Sequence, residues 1–211
     1  MTTSDFKTTK DISSLTGLRG FAALIVYISH CANHGLLPEF LGGGFGQVGV
    51  MLFFVLSGFL MAFLYLDKNP TEANVKEYCL ARIGRVLPLY YALLLLSVLI
   101  STVIHSDLVF AFQFNSAGTI LRALLLIDAR YVFWTIPVEV QFYVIFLFLW
   151  YVKHKFGNTI SIIFLPMLLT ALSLAVYNFT GKIPQIVTTY IVAFQLGVLF
   201  HFTYYFLSSN K

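Results

Sequence analysis

The sequence predicts an all-α polytopic bundle of membrane-spanning helices, and three observations predict it. Hydrophobic residues make up 59% of the 211 and charged residues only 10%, with a mean hydropathy of +0.85, whereas a soluble domain carries about 25% charged residues. Six stretches approach the roughly 20 apolar residues that a helix needs to cross about 30 Å of hydrocarbon. These runs are continuous rather than alternating, which selects helices over barrel strands, because a lipid-embedded backbone must satisfy its amides within the segment.

The six expected spans are residues 18–37, 46–66, 86–104, 134–152, 159–177 and 186–206. The first follows a polar tail, residues 1–14, in which Lys7 and Lys10 balance Asp5 and Asp11. The run behind this tail holds Arg19 and lacks a small-residue cleavage site, so it is expected as a retained span and not a signal peptide. Before the second span stands a glycine run, "GGGFGQVG", suited to close helix packing or to a nearby ligand; Ser57 and Gly58 within the span suit a small-residue helix contact. Pro88 is expected in the first turn of the third span, where its missing N–H costs nothing. Residues 119–127 are apolar but too short to cross and are expected as a re-entrant or interfacial segment. Trp134 marks an interface belt at the fourth span. With no internal repeat, heptad or low-complexity stretch, residues 15–211 are expected as one transmembrane domain.

Charge distribution orients the bundle. With the N-terminus inside, Lys7, Lys10, Arg19, Lys68, Lys76, Arg82, Arg85, Lys153, Lys155 and Lys211 fall on the cytoplasmic side; Arg122, Arg130 and Lys182 fall on the other. This asymmetry follows the positive-inside bias. It accounts for the formal charge of +4 through topology and anionic lipid, so no nucleic-acid partner is expected. Cys31 and Cys79 fall towards opposite membrane faces and read as small packing residues, not a disulfide.

Several polar residues stand where lipid disfavours them. Arg19 and His30 are eleven positions apart on one helix, about 1100° of rotation and a rise of about 16 Å, so they share a face. They read either as a snorkelling arginine with a hydrogen-bonded core histidine or as two groups facing an aqueous cavity. His34 is expected in the exit loop. Arg82 and Arg85, an i,i+3 pair expected at the cytoplasmic entry of the third span, make either a two-fork anion site or ordinary membrane anchors. Glu139, with Gln141 and Tyr143 nearby and Pro137 just before it, is a carboxylate in an apolar helix, placed either for helix packing or for chemistry. No metal-ligand cluster, nucleophile elbow or phosphate-cradling glycine loop appears in the sequence, so no metal is expected.

Four stretches, in order, resemble the motifs of the acyltransferase-3 family of bacterial integral membrane O-acyltransferases. "LTGLRGFAALIVYISH" is similar to the family's L-D-G-L-R-G opening with its R-x10-H pair, and "GVMLFFVLSGFL" to G-V-D-L-F-F-V-L-S-G-F. "RIGRVLPLY" is similar to an R-x-x-R plus P-x-Y segment, and "WTIPVEVQFYVIF" to W-[ST]-x-x-V-E-x-Q-F-Y. The chain departs from the pattern at Thr16, Met51 and Val140, where the first two stand for a frequent Asp and the third for a second Glu. Family members have about ten core spans and this chain about six, so it is expected to be C-terminally incomplete.

The resemblance implies transfer of an acyl group, most often acetyl, from acyl-CoA to a hydroxyl of a cell-surface carbohydrate or glycolipid, in the bacterial inner membrane with the N-terminus cytoplasmic. It implies His30 as general base on that hydroxyl, since an unperturbed imidazole titrates near neutral pH, and Glu139 as its orienting partner or as a ligand of acceptor hydroxyls. Arg19, Arg82 and Arg85 would meet the phosphates of CoA, with Ser57, Gln141 and Tyr143 lining the substrate path. Partners so implied are acyl-CoA, the carbohydrate or glycolipid acceptor and membrane lipid. Two other classes fit the buried charges: a transporter or flippase, which inverted repeats of broken helices would favour, and an inactive fragment that keeps the motifs without a closed pocket.

Overall fold

A computed structural model describes residues 3–103, 116–129, 131–157, 160–181 and 187–209. Among them the elements are helices joined by turns: α1 (Thr3–Asn33), α2 (Phe45–Met61), α3 (Glu72–Val103), α4 (Ala117–Leu124), α5 (Thr135–Phe156), α6 (Ile160–Thr180) and α7 (Val187–Ser209). Five helical segments are long and apolar enough to cross a membrane: Ser14–Asn33, Glu39–Tyr65, Glu72–Ser101, Val132–Phe156 and Val187–Leu207. The remaining expected span, residues 159–177, corresponds to α6, a helix of 21 residues. The chain is an integral membrane protein. Arg130, Lys182 and Lys211 from the charge tally lie outside the described residues, as do the expected span limits at 104, 159 and 186.

Two boundaries differ from expectation. The first span ends at Asn33, not at 37, because Gly35 turns left-handed (φ 75°) and the Leu36 amide closes back on the Cys31 carbonyl at 3.0 Å, a glycine-terminated helix end. At its other end α1 runs unbroken from the polar tail. The third helix starts at Glu72, well before the expected 86. Thr71 precedes its first turn and accepts from the Asn74 amide, and the charged residues that follow are helical although hydropathy cannot assign them to a span. Pro88 is therefore an interior proline, not a helix-starting one, and Arg82 and Arg85 lie within α3 rather than at its entry.

The chain forms two compact units, one comprising residues 1–63 and 193–211, the other residues 64–192. In the first, α1 buries Ala22, Ile25, Ser29 and Ala32, one stripe at three- and four-residue spacing. The glycine run lets α2 lie directly on this stripe. A Cβ on Gly49 would stand 2.6 Å from the Ala22 carbonyl, and one on Gly46 2.9 Å from Ser29 Oγ. Gly43 takes a left-handed turn (φ 57°) and donates its amide to Asn33 Oδ1 at 2.8 Å. Further along, α2 meets the α7 backbone through small residues on both sides: a Cβ on Gly58 would overlap the Phe194 carbonyl, and one on Gly197 the Val55 carbonyl. Phe54 and Phe194 stack at 4.5 Å beside them.

The second unit is organised by α3 and α5 running antiparallel. Tyr78, early in α3, contacts Phe146 and Trp150, late in α5; Tyr90, further along α3, meets Phe133, just before α5. At one end the fully buried Trp150 donates from Nε1 to the Lys68 carbonyl at 2.7 Å. There Lys153 also bonds Asp67 at 2.6 Å and the Leu66 carbonyl at 3.1 Å. The other end holds α4, capped by the Ser116 side chain. The short apolar segment expected at residues 119–127 corresponds to α4 and the turn that follows it. Side chains of the long helices satisfy the carbonyls at the end of α4. Tyr90 donates to Ala123 O at 2.9 Å and Tyr91 to Leu124 O at 3.0 Å. Gln141 Nε2 donates to Leu126 O at 3.0 Å and Ile127 O at 2.9 Å. Ser173 of α6 pairs with Thr189 of α7 at 2.9 Å.

Candidate functional site

In the second unit the antiparallel register gathers the polar residues of α3 and α5 at one level. The Tyr78 hydroxyl donates to the Tyr143 carbonyl at 2.9 Å. One turn beyond Tyr78 on α3 comes Arg82, and one turn before Tyr143 on α5 comes Glu139, so both lie on the same stretch of the antiparallel α3–α5 pair. The Tyr143 hydroxyl donates to Glu139 Oε1 at 2.7 Å. Arg82 is only 5% exposed, lies 5.8 Å over the Tyr65 ring, and its buried Nε finds no hydrogen-bond partner among the described residues. A buried N–H of a charged group left unbonded is costly.

Arg85 is exposed. The two arginines share a helix but not an environment: one is embedded among Tyr65, Tyr78 and the α5 residues, the other stands on the accessible side. The two-fork reading thus becomes one interior donor and one peripheral cation. Glu139 is half-buried in α5, with Pro137 seated in the first turn of that helix, where a missing N–H breaks no bond. Gln141 bonds backbone through both ends of its amide. Besides its two donated bonds to Leu126 and Ile127, its Oε1 accepts the Val187 amide at 3.0 Å. It fastens the turn after α4 and the start of α7; both of its N–H donors are spent on backbone, and Oε1 keeps one lone pair.

In the first unit, Arg19 is half-buried and His30 exposed on the unbroken α1, with the eleven-residue spacing that places them on one face. The buried polar residue beside His30 is Ser29. His34 is exposed in the turn that ends α1. Ser57 is buried next to Gly58 at the close approach of α2 and α7, in the small-residue helix contact expected of it.

Several residues of these surroundings escaped the sequence reading. Tyr78 stands four residues before Arg82, a helical spacing that places the two on one face. Tyr65, Tyr90, Tyr91 and Trp150 read there only as apolar helix content. His201 is 4% exposed and meets the Phe63 ring edge-on at 6.3 Å. The rule that singles out His30, an ionisable residue inside an apolar run, applies to it equally.

Comparison with known proteins places the chain in a family. The family described as "Acyltransferase domain", the acyltransferase-3 family, matches residues 12–211. The O-acetyltransferase OatA of Staphylococcus aureus (strain NCTC 8325 / PS 47) is 25% identical over 207 residues, covering 86% of this chain and 33% of that protein. The protein named "Putative peptidoglycan O-acetyltransferase YrhL" of Bacillus subtilis (strain 168) is 28% identical over 195 residues, 82% of this chain and 30% of its own length. The chain thus spans about a third of the length of the curated relatives it matches. No solved structure matches it. The family match over nearly all residues, with helices carrying the four motifs in order, leads to one conclusion: the chain belongs to the acyltransferase-3 family.

Proposed function

We propose that this chain is the membrane part of an O-acyltransferase that moves an acyl group, acetyl first among them, from acyl-CoA to a hydroxyl of a cell-surface carbohydrate or glycolipid. The carrying observation is Arg82, a buried guanidinium with an unbonded Nε among the described residues, on the helix that Tyr78 bonds to the helix of Glu139, in a member of this family. The relatives' names, O-acetyltransferase and peptidoglycan O-acetyltransferase, support both the acetyl group and a cell-wall acceptor. The proposed setting is the bacterial inner membrane with the N-terminus cytoplasmic, where CoA is available to the basic side.

In the reaction, the acceptor hydroxyl oxygen attacks the thioester carbonyl. The carbon–oxygen bond forms, the carbon–sulfur bond breaks, and the hydroxyl proton passes through a base to the departing thiolate. On the first unit, His30 is the proposed base, and Arg19, on the same face of α1, takes a phosphate of the donor. On the second unit, Arg82 and Arg85 supply charge-assisted donors to phosphate oxygens, and Glu139 binds acceptor hydroxyls or orients a base. Ser57 and Gln141 shape the surroundings through packing and backbone bonds. Membrane vesicles containing the protein, given radiolabelled acetyl-CoA and cell-wall glycan, are expected to label the glycan and release free CoA. Glycan that stays unlabelled while the protein is folded overturns the reading.

A further inference from the structure

We propose that Tyr143 is a positioning residue, which holds the Glu139 carboxylate in one orientation and is itself held by Tyr78. This deepens the acyl-transfer reading and rests on it. Tyr143 follows Glu139 by four residues on α5, so the two side chains share a face. Its hydroxyl donates to Glu139 Oε1 at 2.7 Å, in the range of a short charge-assisted bond. With Tyr143 only 6% exposed, the one proton of that hydroxyl is spent inside the protein.

The second link explains why the orientation persists. A helical carbonyl that already accepts its own i+4 amide retains a lone pair, and the Tyr143 carbonyl uses it to accept from Tyr78 on α3. Phe146, less than one turn along α5, stacks on the Tyr78 ring at 5.8 Å. Rotation of α5 about its axis would break this bond and the stack together. Glu139 is therefore fixed in direction by a chain of two tyrosines rooted in the helix that carries Arg82. A carboxylate that must meet a hydroxyl or an imidazole at one geometry gains rate from such fixing.

The test is Tyr143→Phe in the full chain in native membranes, with kcat and both KM values measured alone and in a Glu139→Ala background. A positioning role predicts about a tenfold loss in kcat, the scale of one hydrogen bond to a charged group. Both KM values stay unchanged, and the loss vanishes where Glu139 is already Ala, because coupled residues are not additive. A ligand role for Tyr143 would instead raise a KM; a merely structural role would give the same loss in both backgrounds. Either result overturns the proposal, as does wild-type kcat in Tyr143→Phe. Infrared spectra with isotope-labelled glutamate supply a readout independent of turnover. Loss of the Tyr143 bond shifts the Glu139 carboxylate band, and an unshifted band ends the proposal. If the wild-type protein acylates nothing, the acyl-transfer reading falls, and the band alone reports whether Tyr143 holds Glu139.

Discussion

Arg82 and Arg85 stand three residues apart on one helix, yet the first is buried against Tyr65 and the second is exposed. Substitution should separate them. Arg85→Ala is expected to preserve folding and weaken acyl-CoA binding modestly, whereas Arg82→Ala removes the interior donor. The double variant should lose tenfold or more in affinity, since each charge-assisted bond contributes roughly 1.5–3 kcal/mol. Isothermal titration with CoA in detergent measures this, and unchanged affinity in the double variant reduces both residues to membrane anchors.

His30 lies about 16 Å along α1 from Arg19. If it is the base, His30→Gln should leave the helix and CoA binding intact and cut turnover by about 10²–10⁴-fold. A folded His30→Gln protein that acylates at the wild-type rate would transfer the role of base to Glu139.

The close approach of α2 and α7 at Gly58 and Gly197 leaves no room for a methyl group. Gly58→Ala is expected to destabilise the first unit by about 1–3 kcal/mol through forced separation of the backbones. Gly84, around which a Cβ meets nothing within 4 Å, should accept alanine without loss. Thermal unfolding in detergent compares the two, and equal melting temperatures would contradict the packing described.

The topology has its own test. Cysteines placed singly at Asn69 and Glu39 should differ in reaction with an impermeant reagent on intact cells, position 39 labelling from outside and position 69 only after lysis. The reverse pattern would invert the orientation.

The spans were legible in the sequence because lipid imposes one requirement, a long apolar helix, and composition alone reports it. The α2 contact was legible for a related reason: glycines ahead of an apolar run have few uses other than close packing. The extension of α3 back to Glu72 was not, because residues 72–85 carry charge and hydropathy cannot distinguish a helix leaving the membrane from a loop. Arg82 and Arg85 looked alike for the same reason. Their difference depends on which residues of α5 lie opposite, and that follows from the Tyr78–Tyr143 bond, a pairing of residues 65 positions apart that no local pattern announces. Gln141 was noticed as a polar residue near Glu139, but its engagement with Leu126, Ile127 and Val187 depends on the turn after α4 and the start of α7. Its occupation by backbone is a tertiary fact.

The carbonyls at the end of α4 bear on biogenesis. Two of them accept from α3, already synthesised when they emerge, but those of Leu126 and Ile127 await Gln141 in α5. Until α5 leaves the ribosome, these two carbonyls lack the side chain that bonds them, so α3, α4 and the start of α5 are expected to assemble as one cooperative step. Gln141→Leu should make that step fail more often, because both carbonyls lose the donor that ties the turn to α5. Pulse-chase measurement of nascent-chain survival would show it as faster degradation of the variant, and equal half-lives would mean that the turn finds other donors during synthesis.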